Sequence, residues 1–342
     1  MKSKVLVTGG MGYIGSHTVV VLIEAGFEVV IVDDLSNSRI EVLDRIEQIT
    51  RTRPAFHQFD LCDIKKLRIC VDQEKNISSV IHFAAFKAVG ESQLKPLEYY
   101  QNNLLSTLNL LTVMREKGVN NIVFSSSCTV YGQPDKLPVT ESSPFKPAES
   151  TYGQTKQMCE YILRDTVRAN EMLNCISLRY FNPVGAHESA LIGELPLGVP
   201  ANLVPFITQT AIGLREELSV FGTDYKSEDG TAVRDYIHVV DLAKAHLVAM
   251  ERLLDKKNKA NFEFFNIGTG NGYSVLQVVN TFQEVNQVKV NHKLVDRRAG
   301  DVEIIYADTH LANNELGWKA EKGLEEMLGS AWKWEQAVNS SE

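Results

Sequence analysis

The sequence predicts an α/β protein: a doubly wound parallel sheet in the N-terminal part, followed by a second, smaller α/β domain. Short apolar runs without polar alternation, such as Lys4–Thr8 and Asn121–Ser125, are typical of parallel strands that are buried on both faces. Helical segments such as Asn102–Glu116 separate these runs and supply the crossovers that a parallel sheet needs. The chain of 342 residues is also long for a single core, which favours two domains.

Composition indicates an ordinary globular protein of a reducing compartment. Hydrophobic residues make up 44% and charged residues 23% of the chain, close to globular averages. The net charge of −8 argues against nonspecific attraction to nucleic acid. The five cysteines form no C-x-x-C pair, so we expect free thiols rather than disulfides or a zinc site. The N-terminus does not read as a signal peptide and no apolar run approaches ~20 residues, so we expect no membrane span and a cytoplasmic protein.

A glycine-rich turn directly follows the first predicted strand. Gly9, Gly12 and Gly15 stand at three-residue spacing, and a helix is expected after them, up to Gly26. Missing β-carbons let the backbone approach a pyrophosphate closely, while the helix N-terminus presents free N–H groups and the positive end of its dipole. Strand, turn and helix in this order predict a dinucleotide site of the Rossmann type.

The next apolar run, Glu28–Val32, leads to an acidic residue at an informative distance. Asp33 follows Gly15 by 18 residues, close to the roughly 20 residues at which an acid binds the adenosine ribose hydroxyls. Such an acid favours NAD over NADP as the cofactor. The role of Asp34 stays open, because an aspartate in a turn often bonds only to its own backbone.

Small residues close two apolar runs, Val80–Ala85 and Asn121–Ser127. In open α/β sheets ligands bind beyond the carboxyl ends of the strands, so these small residues leave room for a cofactor. Lys87 lies just past the first of the two runs. Its position is equally consistent with a phosphate or cofactor contact and with a solvated loop lysine.

The segment Tyr152–Lys156 carries the residues from which we predict redox chemistry. Its phenol and ammonium stand four residues apart and therefore project from the same face of a helix. An unperturbed tyrosine has a pKa of about 10, too high for a base at neutral pH, but a nearby lysine and a cationic nicotinamide both favour the phenolate. Tyr152 can then take a hydroxyl proton while a hydride leaves the same carbon.

The serines Ser125–Ser127 decide between this chemistry and a simple surface pair. Taken alone, a tyrosine and a lysine at this spacing are most often solvated neighbours on a helix. The serine cluster closes a predicted strand, and the hydroxyl of Ser127 can hold the substrate oxygen toward Tyr152. The alternative is a loop in which small residues only make room.

The ordered motifs TGGMGYIG, SSSCTVYG and YGQTK resemble those of the extended short-chain dehydrogenase/reductase superfamily. Four further segments, HFAAFKAVGES, KPLEYYQNN, LRYFNPVGAH and VRDYIHVVDLA, resemble the UDP-glucose 4-epimerase family, and the similarity runs to about Trp334. The resemblance implies an NAD-dependent isomerase of nucleotide-sugar metabolism that oxidises C4 of a UDP-sugar, lets the 4-keto sugar rotate and returns the hydride to the opposite face. It would interconvert UDP-glucose and UDP-galactose, and it would be a homodimer.

The resemblance also implies a role for individual residues. Ser127, Tyr152 and Lys156 would be catalytic, and Lys156 would also hold the nicotinamide ribose. The cofactor contacts would be Gly9, Gly12, Tyr13, Ile14, Gly15, Asp33, Asp34, Asn37, Ser38, Asp60, Leu61, Phe83, Ala84, Lys87, Asn102, Tyr152, Lys156 and Phe181. The substrate contacts would be Lys87, Ser127, Tyr152, Asn182, Asn202, Leu203, Phe221, Arg234, Arg298, Asp301 and Ile305.

The arginines among these residues also make sense on their own chemistry. A nucleotide diphosphate carries two negative charges, and the forked guanidinium matches its oxygens in a bidentate way. The alternative is a surface salt bridge, which suits Arg297 better than it suits Arg234, because Arg234 stands between Val233 and Asp235 ahead of an apolar helix.

Two features refine the substrate and reaction class. Related superfamily members that eliminate water or carbon dioxide carry acids just after the serine, whereas Cys128 and Thr129 follow Ser127 here, which favours an epimerase. Ile305 stands where a tyrosine is common in epimerases restricted to unacetylated sugars. Activity on UDP-N-acetylglucosamine therefore stays open, and an NAD-binding regulatory protein is the non-enzymatic alternative.

The expected domain division follows the same motifs. Residues 1–181 would form the NAD-binding Rossmann domain with the catalytic residues, and residues 182–342 would form the UDP-sugar-binding domain. Segments within about 234–268 are expected to return to the first domain.

Overall fold

The computed structural model describes residues 3–297 and 302–340, and within them the chain forms thirteen strands and ten α-helices. The strands are β1 (Lys4–Thr8), β2 (Glu28–Asp33), β3 (Ala55–Gln58), β4 (Ile77–His82), β5 (Asn121–Ser125), β6 (Asn174–Tyr180), β7 (Asn182–Val184), β8 (Leu218–Phe221), β9 (Val233–His238), β10 (Phe262–Ile267), β11 (Gly272–Ser274), β12 (His292–Val295) and β13 (Ile304–Ile305). The helices are α1 (Tyr13–Glu24), α2 (Glu41–Thr50), α3 (Ile64–Gln73), α4 (Val89–Leu94), α5 (Pro96–Lys117), α6 (Thr151–Ala169), α7 (Leu203–Ala211), α8 (Val239–Leu254), α9 (Val275–Asn286) and α10 (Leu324–Asn339).

Seven of the described strands form a parallel sheet in the order β3-β2-β1-β4-β5-β6-β10. The chain moves from β1 outward to β3 and then crosses to β4 on the other side of β1. The strand order thus reverses between β1 and β4, which is where a doubly wound sheet opens a ligand crevice at its carboxyl edge. The predicted α/β fold class is confirmed.

The sheet is buried on both faces, as its unbroken apolar strands predict. Val5 and Val7 point to one face, where they pack in a core with residues of α1, α2 and α8. Leu6 points to the other face and packs in a core with residues of α3, α5 and α6. Because neighbouring residues of a strand face opposite sides, both faces need apolar side chains and the strands show no polar alternation.

A smaller α/β unit begins after β6 and packs around its own core. Its strands β7, β11 and β13 pair with β9, and β8 pairs with β12. Val184, Ile207, Phe282 and Met327 are among the buried residues that join these strands to α7, α9 and α10. Within 234–268, α8 packs against α1 and β10 extends the large sheet, whereas β9 belongs to the smaller unit. The boundary near residue 181 stays a prediction.

The cysteines and the helices agree with the compositional expectations. All five cysteines lie in the described part of the chain and are free thiols. Among the described residues, no helix combines the length and the apolar character that a membrane crossing requires.

Candidate active site

The glycine turn joins β1 to α1 at the switch point of the sheet. A Cβ on Gly15 would lie 2.1 Å from the carbonyl oxygen of Gly9, so only glycine fits there. Gly9 has a φ of +70°, and a Cβ on it would lie 2.7 Å from the backbone nitrogen of Ala84, just beyond β4. Gly12 is the N-cap of α1 and has no side chain to bond the first helical N–H groups. The turn therefore offers its N–H groups and the positive end of α1 to an anion.

Asp33 ends β2 and is already bonded by its own chain. Its carboxylate accepts hydrogen bonds from the backbone N–H of Met11 at 3.0 Å, from that of Leu35 at 3.0 Å and from the hydroxyl of Ser38 at 2.9 Å. Burial raises the pKa of Asp33, and these hydrogen bonds oppose the rise. The bond to Met11 ties the acid to the glycine turn, so the two parts of the predicted adenosine site are held together.

The other predicted cofactor contacts lie in loops that follow the strands of the large sheet. Asp34 and Asn37 are exposed, and the carboxylate of Asp34 accepts bonds from the backbone and hydroxyl of Ser36. This is the self-bonded turn that the sequence left open for Asp34. Asp60 is likewise exposed and accepts from the N–H of Cys62 at 2.8 Å.

Four further predicted cofactor contacts are at least partly buried. They are Leu61, whose carbonyl accepts from Asn109; Phe83, whose ring packs on His246; Asn102, which donates to Asn103; and Phe181, which is buried beside Ile305. Tyr13 and Ile14 begin α1, and the Tyr13 hydroxyl donates to the carbonyl of Gly185 at 2.6 Å.

Tyr152 and Ser127 are brought together at the carboxyl edge of the large sheet. Tyr152 lies in the first turn of α6, which begins after the N-cap Ser150. Ser127 follows β5, caps a short 3-10 turn and accepts from the N–H of Thr129 at 3.2 Å. The Ser127 hydroxyl is near enough to the Tyr152 phenol to oppose, as a lesser effect, the burial that raises the pKa of Tyr152. Both are almost fully buried, with 8% and 7% of their surface exposed, so a reacting oxygen between them would be shielded from water.

Lys156 lies one helical turn after Tyr152 and is also buried. Its Nζ donates to the carbonyl oxygen of Ser125 at 2.7 Å and lies 5.8 Å from the centre of the Tyr152 ring. Burial lowers the pKa of Lys156 to about 8. Since Ser125 and Ser127 belong to the same strand end, one short segment positions both the ammonium and the hydroxyl.

The pKa of Tyr152 is raised in this structure, chiefly because burial disfavours the phenolate. Sequence reasoning expected Lys156 to favour the phenolate. The structure shows that desolvation of the phenol outweighs that support in the protein alone. A cationic group bound next to the phenol would oppose this rise in the pKa of Tyr152.

A buried carboxylate behind Lys156 was not anticipated from the sequence. Glu160 lies one turn further along α6 and accepts hydrogen bonds from Ser126 at 2.5 Å and from Ser177 at 3.1 Å. Its third partner is Arg179, whose guanidinium donates to both carboxylate oxygens, at 3.0 and 2.6 Å. The charge of Glu160 also raises the pKa of Lys156 against the effect of burial. The sequence signal that could have indicated Glu160 was its position four residues after Lys156, on the same face of the helix.

Arg234, in β9 of the smaller unit, approaches the turn after β5 that carries Ser127 and Cys128. Its guanidinium donates to the carbonyl oxygens of Val233 at 2.9 Å and of Glu303 at 3.3 Å. Its charge reaches the thiol of Cys128, beside Ser127, and opposes the burial that raises the pKa of Cys128 to about 12. Arg297 instead pairs with Asp224 at 2.6 Å, as expected for a surface salt bridge.

The other predicted substrate contacts come from several elements. Asn182 is in β7, beside Tyr236 of β9, and Ile305 pairs with Arg234 in the adjacent strand. Asn202 and Leu203 form the start of α7, and Phe221 ends β8 with 39% of its surface exposed. Arg298 and Asp301 lie outside the described residues.

Lys87 contacts a carboxylate from the smaller unit that sequence reasoning missed. Its Nζ lies 3.2 Å from Glu194 Oε1, and the same oxygen accepts from the Asn202 amide at 2.6 Å. No local motif marks Glu194, because its partner Lys87 is 107 positions away in the chain. Two predicted ligand contacts from different parts of the chain thus meet on one acid.

Comparison with known proteins gives the family. The chain matches the family described as GDP-mannose 4,6 dehydratase over residues 6–330. It is 52% identical over 332 residues to the UDP-glucose 4-epimerase of Haemophilus influenzae, an alignment that covers 97% of each protein. The chain belongs to the UDP-glucose 4-epimerase family. Members as distant as the mouse UDP-glucose 4-epimerase share 48% identity with it over 97% of the chain and 96% of the relative.

Solved structures of this family have the same fold. The UDP-glucose 4-epimerase from Bifidobacterium longum, in complex with NAD+ and UDP, superposes with a TM-score of 0.94 at 45% identity, covering 99% of this chain and 100% of that one. The enzyme from Stenotrophomonas maltophila, with bound NAD and formylated UDP-arabinopyranose, gives 0.96 at 47% identity and the same coverage. The UDP-Glc/GlcNAc 4-epimerase from Campylobacter jejuni gives 0.84 at 36% identity, covering 98% of this chain and 99% of that one.

Proposed function

We propose that this protein is an NAD-dependent UDP-glucose 4-epimerase that interconverts UDP-glucose and UDP-galactose. The observation that carries the proposal is the buried group of Ser127, Tyr152 and Lys156 at the carboxyl edge of a doubly wound sheet, beside a glycine turn. Cys128 and Thr129 follow Ser127, so the acid that an eliminating enzyme carries there is absent from the sequence. The relatives in the UDP-glucose 4-epimerase family support the same conclusion.

The residues of the crevice fit NAD. The glycine turn leaves space where a Cβ on Gly15 would clash, and the uncapped start of α1 suits a pyrophosphate. Asp33 would receive the adenosine ribose, with Asp34, Asn37 and Ser38 around it. Lys156 would hold the nicotinamide ribose. When bound, NAD supplies a hydride acceptor and, once reduced, a hydride donor, so no net oxidation of the sugar results.

The catalytic residues of the chain manage the proton of the 4-hydroxyl. Ser127 is placed to hold the C4 oxygen by a hydrogen bond, and Tyr152 Oη accepts its proton when the C4–H bond breaks. The positive charge of Lys156 stabilises the phenolate that Tyr152 becomes. When the opposite face of C4 is reduced, Tyr152 returns the proton to the same oxygen. The burial of all three residues excludes water from the exchange.

Substrate binding is proposed to concentrate on the UDP group rather than on the sugar. Arg234, in β9, would bind the diphosphate, together with residues at the start of α7. Binding energy directed to the UDP group leaves the sugar free to present either face to Tyr152, which an epimerase requires.

The test is conversion of UDP-galactose to UDP-glucose by the purified protein without added NAD. We expect turnover by the parent and a loss of roughly 10²- to 10⁴-fold in kcat for Tyr152→Phe, because the phenol is the proton acceptor. Tyr161→Phe, on the solvent side of the same helix, is the matched control and should keep parental turnover. A parent that binds NAD but converts neither sugar would instead support the NAD-binding regulatory alternative.

Epimerisation of UDP-N-acetylglucosamine is a second candidate function, favoured by Ile305. This side chain is 3% exposed and packs with Phe181 and Tyr131, so it stands at the wall of the site without the ring that a tyrosine would add. Ile305→Tyr is expected to lower turnover of the acetylated sugar more than that of UDP-glucose. Absence of acetylated-sugar turnover by the parent would end this candidate.

We further propose that the protein is a cytoplasmic homodimer. Leu97 and Leu108 on α5 are exposed by 78% and 45%, and packing of this helix against a second copy would cover them. Light scattering that gives the mass of one chain would contradict the dimer.

A further inference from the structure

Glu194 stands where three parts of the fold approach one another: the loop after β4, the start of α7 and the start of α1. Its carboxylate contacts Lys87, in the loop after β4, and Asn202, at the start of α7. Burial and, to a lesser extent, the charge of Glu194 raise the pKa of Tyr13, the first residue of α1, and Lys87 Nζ lies 6.0 Å from the centre of the Tyr13 ring. The carboxylate thus stands between the glycine turn and the residues proposed to bind the UDP group.

The backbone around Glu194 is fixed by the C-terminal helix. Trp334 of α10 donates its indole N–H to the carbonyl oxygen of Glu194 at 2.8 Å. A Cβ on the preceding Gly193 would lie 2.4 Å from the Trp334 ring, so the backbone packs directly on the indole. The side chain of Glu194 is therefore delivered to its position by contacts that do not depend on its carboxylate.

The side chain of Asn202 bonds to the Glu194 carboxylate instead of capping its own helix. Asn202 is the N-cap of α7, and asparagine at this position commonly accepts a bond from the first helical turn. Among the described residues, its side chain makes no such capping bond, and its amide donates to Glu194 at 2.6 Å instead. The start of α7 is thus left open toward the ligand side while Glu194 orients the amide.

We propose that Glu194 is a positioning residue that holds Lys87 until a diphosphate binds. The proposal rests on the proposed function. In this structure the ammonium of Lys87 pairs with Glu194; when a diphosphate binds, the ammonium pairs with one of its oxygens instead, and Glu194 keeps its bond to Asn202. The diphosphate belongs either to the UDP-sugar or to NAD, and the two sources share the chemistry that Lys87 recognises.

The exposure of the ion pair makes this exchange feasible. Lys87 is 44% exposed and Glu194 12% exposed, so the pair is weak enough to be replaced by a doubly charged anion. Glu194 also adds a negative charge close to the arriving anion. It therefore weakens diphosphate binding while it orders the residues that perform it, which a purely structural residue would not do.

The test is UDP binding to the NAD-loaded protein, measured by calorimetry for the parent and for Glu194→Gln. Glutamine still accepts a hydrogen bond from Asn202 but releases Lys87 and removes the charge. We expect UDP to bind about two- to five-fold more tightly, the range for an exposed ion pair. Glu188→Gln, an exposed acid in the same loop, removes the same charge and should leave UDP affinity unchanged.

The same substitution made in a Lys87→Met protein separates the proposed exchange of ion-pair partners from a structural effect. In Lys87→Met the ammonium is absent, so adding Glu194→Gln should no longer tighten UDP binding. NAD retained after dialysis is measured in the same proteins. If Glu194→Gln changes NAD retention and not UDP affinity, again only with Lys87 present, the diphosphate that Lys87 binds is that of the dinucleotide.

Two results would overturn the proposal. One is equal weakening of UDP binding by Glu194→Gln in both backgrounds, which would mean a structural role. The other is no change in either UDP affinity or NAD retention. A parent that binds UDP but has no epimerase activity would overturn the proposed function and leave the role of Glu194 to be decided by these binding data.

Discussion

Two ion pairs of the same chemistry lie at the candidate site in opposite surroundings. The pair of Glu160 and Arg179 is 3% and 5% exposed and shares its carboxylate with two serines, whereas Glu194 and Lys87 are 12% and 44% exposed. A charge inside the core has no water to replace its partner, so it is fixed. A charge at the mouth can change partners. The ion pair next to the proposed proton acceptor is therefore fixed, whereas the ion pair where the proposed ligand enters can exchange its partner.

Removing the buried acid should produce the largest effect. Glu160→Ala leaves the Arg179 guanidinium buried without its carboxylate, and breaking such a pair costs about 3–5 kcal/mol of unfolding free energy. Urea unfolding measures the loss. Replacing both partners, as Glu160→Leu with Arg179→Met, should recover most of it because no buried charge remains. A loss below about 1 kcal/mol for Glu160→Ala would remove the basis of the comparison.

The buried ammonium of Lys156 should make the unfolding free energy depend on pH in the alkaline range, with an effect of intermediate size. Burial lowers the pKa of Lys156 from 10.5 to about 8, so between these values the unfolded chain binds more protons than the folded protein. The unfolding free energy should therefore rise with pH across this window, by roughly 2–3 kcal/mol relative to Lys156→Met. Urea unfolding of both proteins from pH 7 to 10, at equal NAD content, measures it. Parallel pH curves would contradict a buried, charged lysine.

Removing the outer acid should have the smallest effect on stability. Glu194→Ala breaks an ion pair that is largely solvated, and such pairs contribute at most about 1 kcal/mol to the unfolding free energy. The indole contact of Trp334 is made to the backbone and persists. Urea unfolding of Glu194→Ala and Glu160→Ala under the same conditions compares the two effects directly. Equal losses of unfolding free energy would show that both acids mainly stabilise the fold.

Sequence reasoning was strongest where chemistry depends on neighbours in the chain. The strand, the glycine turn and Asp33 belong to one unit of about thirty residues, in which spacing alone sets the geometry. Tyr152 and Lys156 share a helix face for the same reason. Parallel strands could be predicted because burial on both faces leaves a continuous apolar run.

Contacts between distant segments could not be predicted in this way. Glu160 meets Arg179 across a helix and a strand, and Glu194 meets Lys87 across two parts of the fold. No periodicity relates such residues, because their distance depends on how whole elements pack. The raised pKa of Tyr152 could not be predicted for a similar reason: it depends on burial, which residue spacing does not reveal. The roles assigned to individual cofactor and substrate contacts stay predictions.

The hydroxyl of Tyr13 has a consequence for the kinetics of the cofactor. Tyr13 begins the helix that follows the glycine turn, and its bond to the carbonyl of Gly185 at 2.6 Å reaches the segment that follows β7 in the smaller unit. Any movement that separated the two units would stretch this bond. If the proposed dinucleotide leaves only through such a movement, the residence time of NAD would report how often the units separate, and Tyr13→Phe would shorten it.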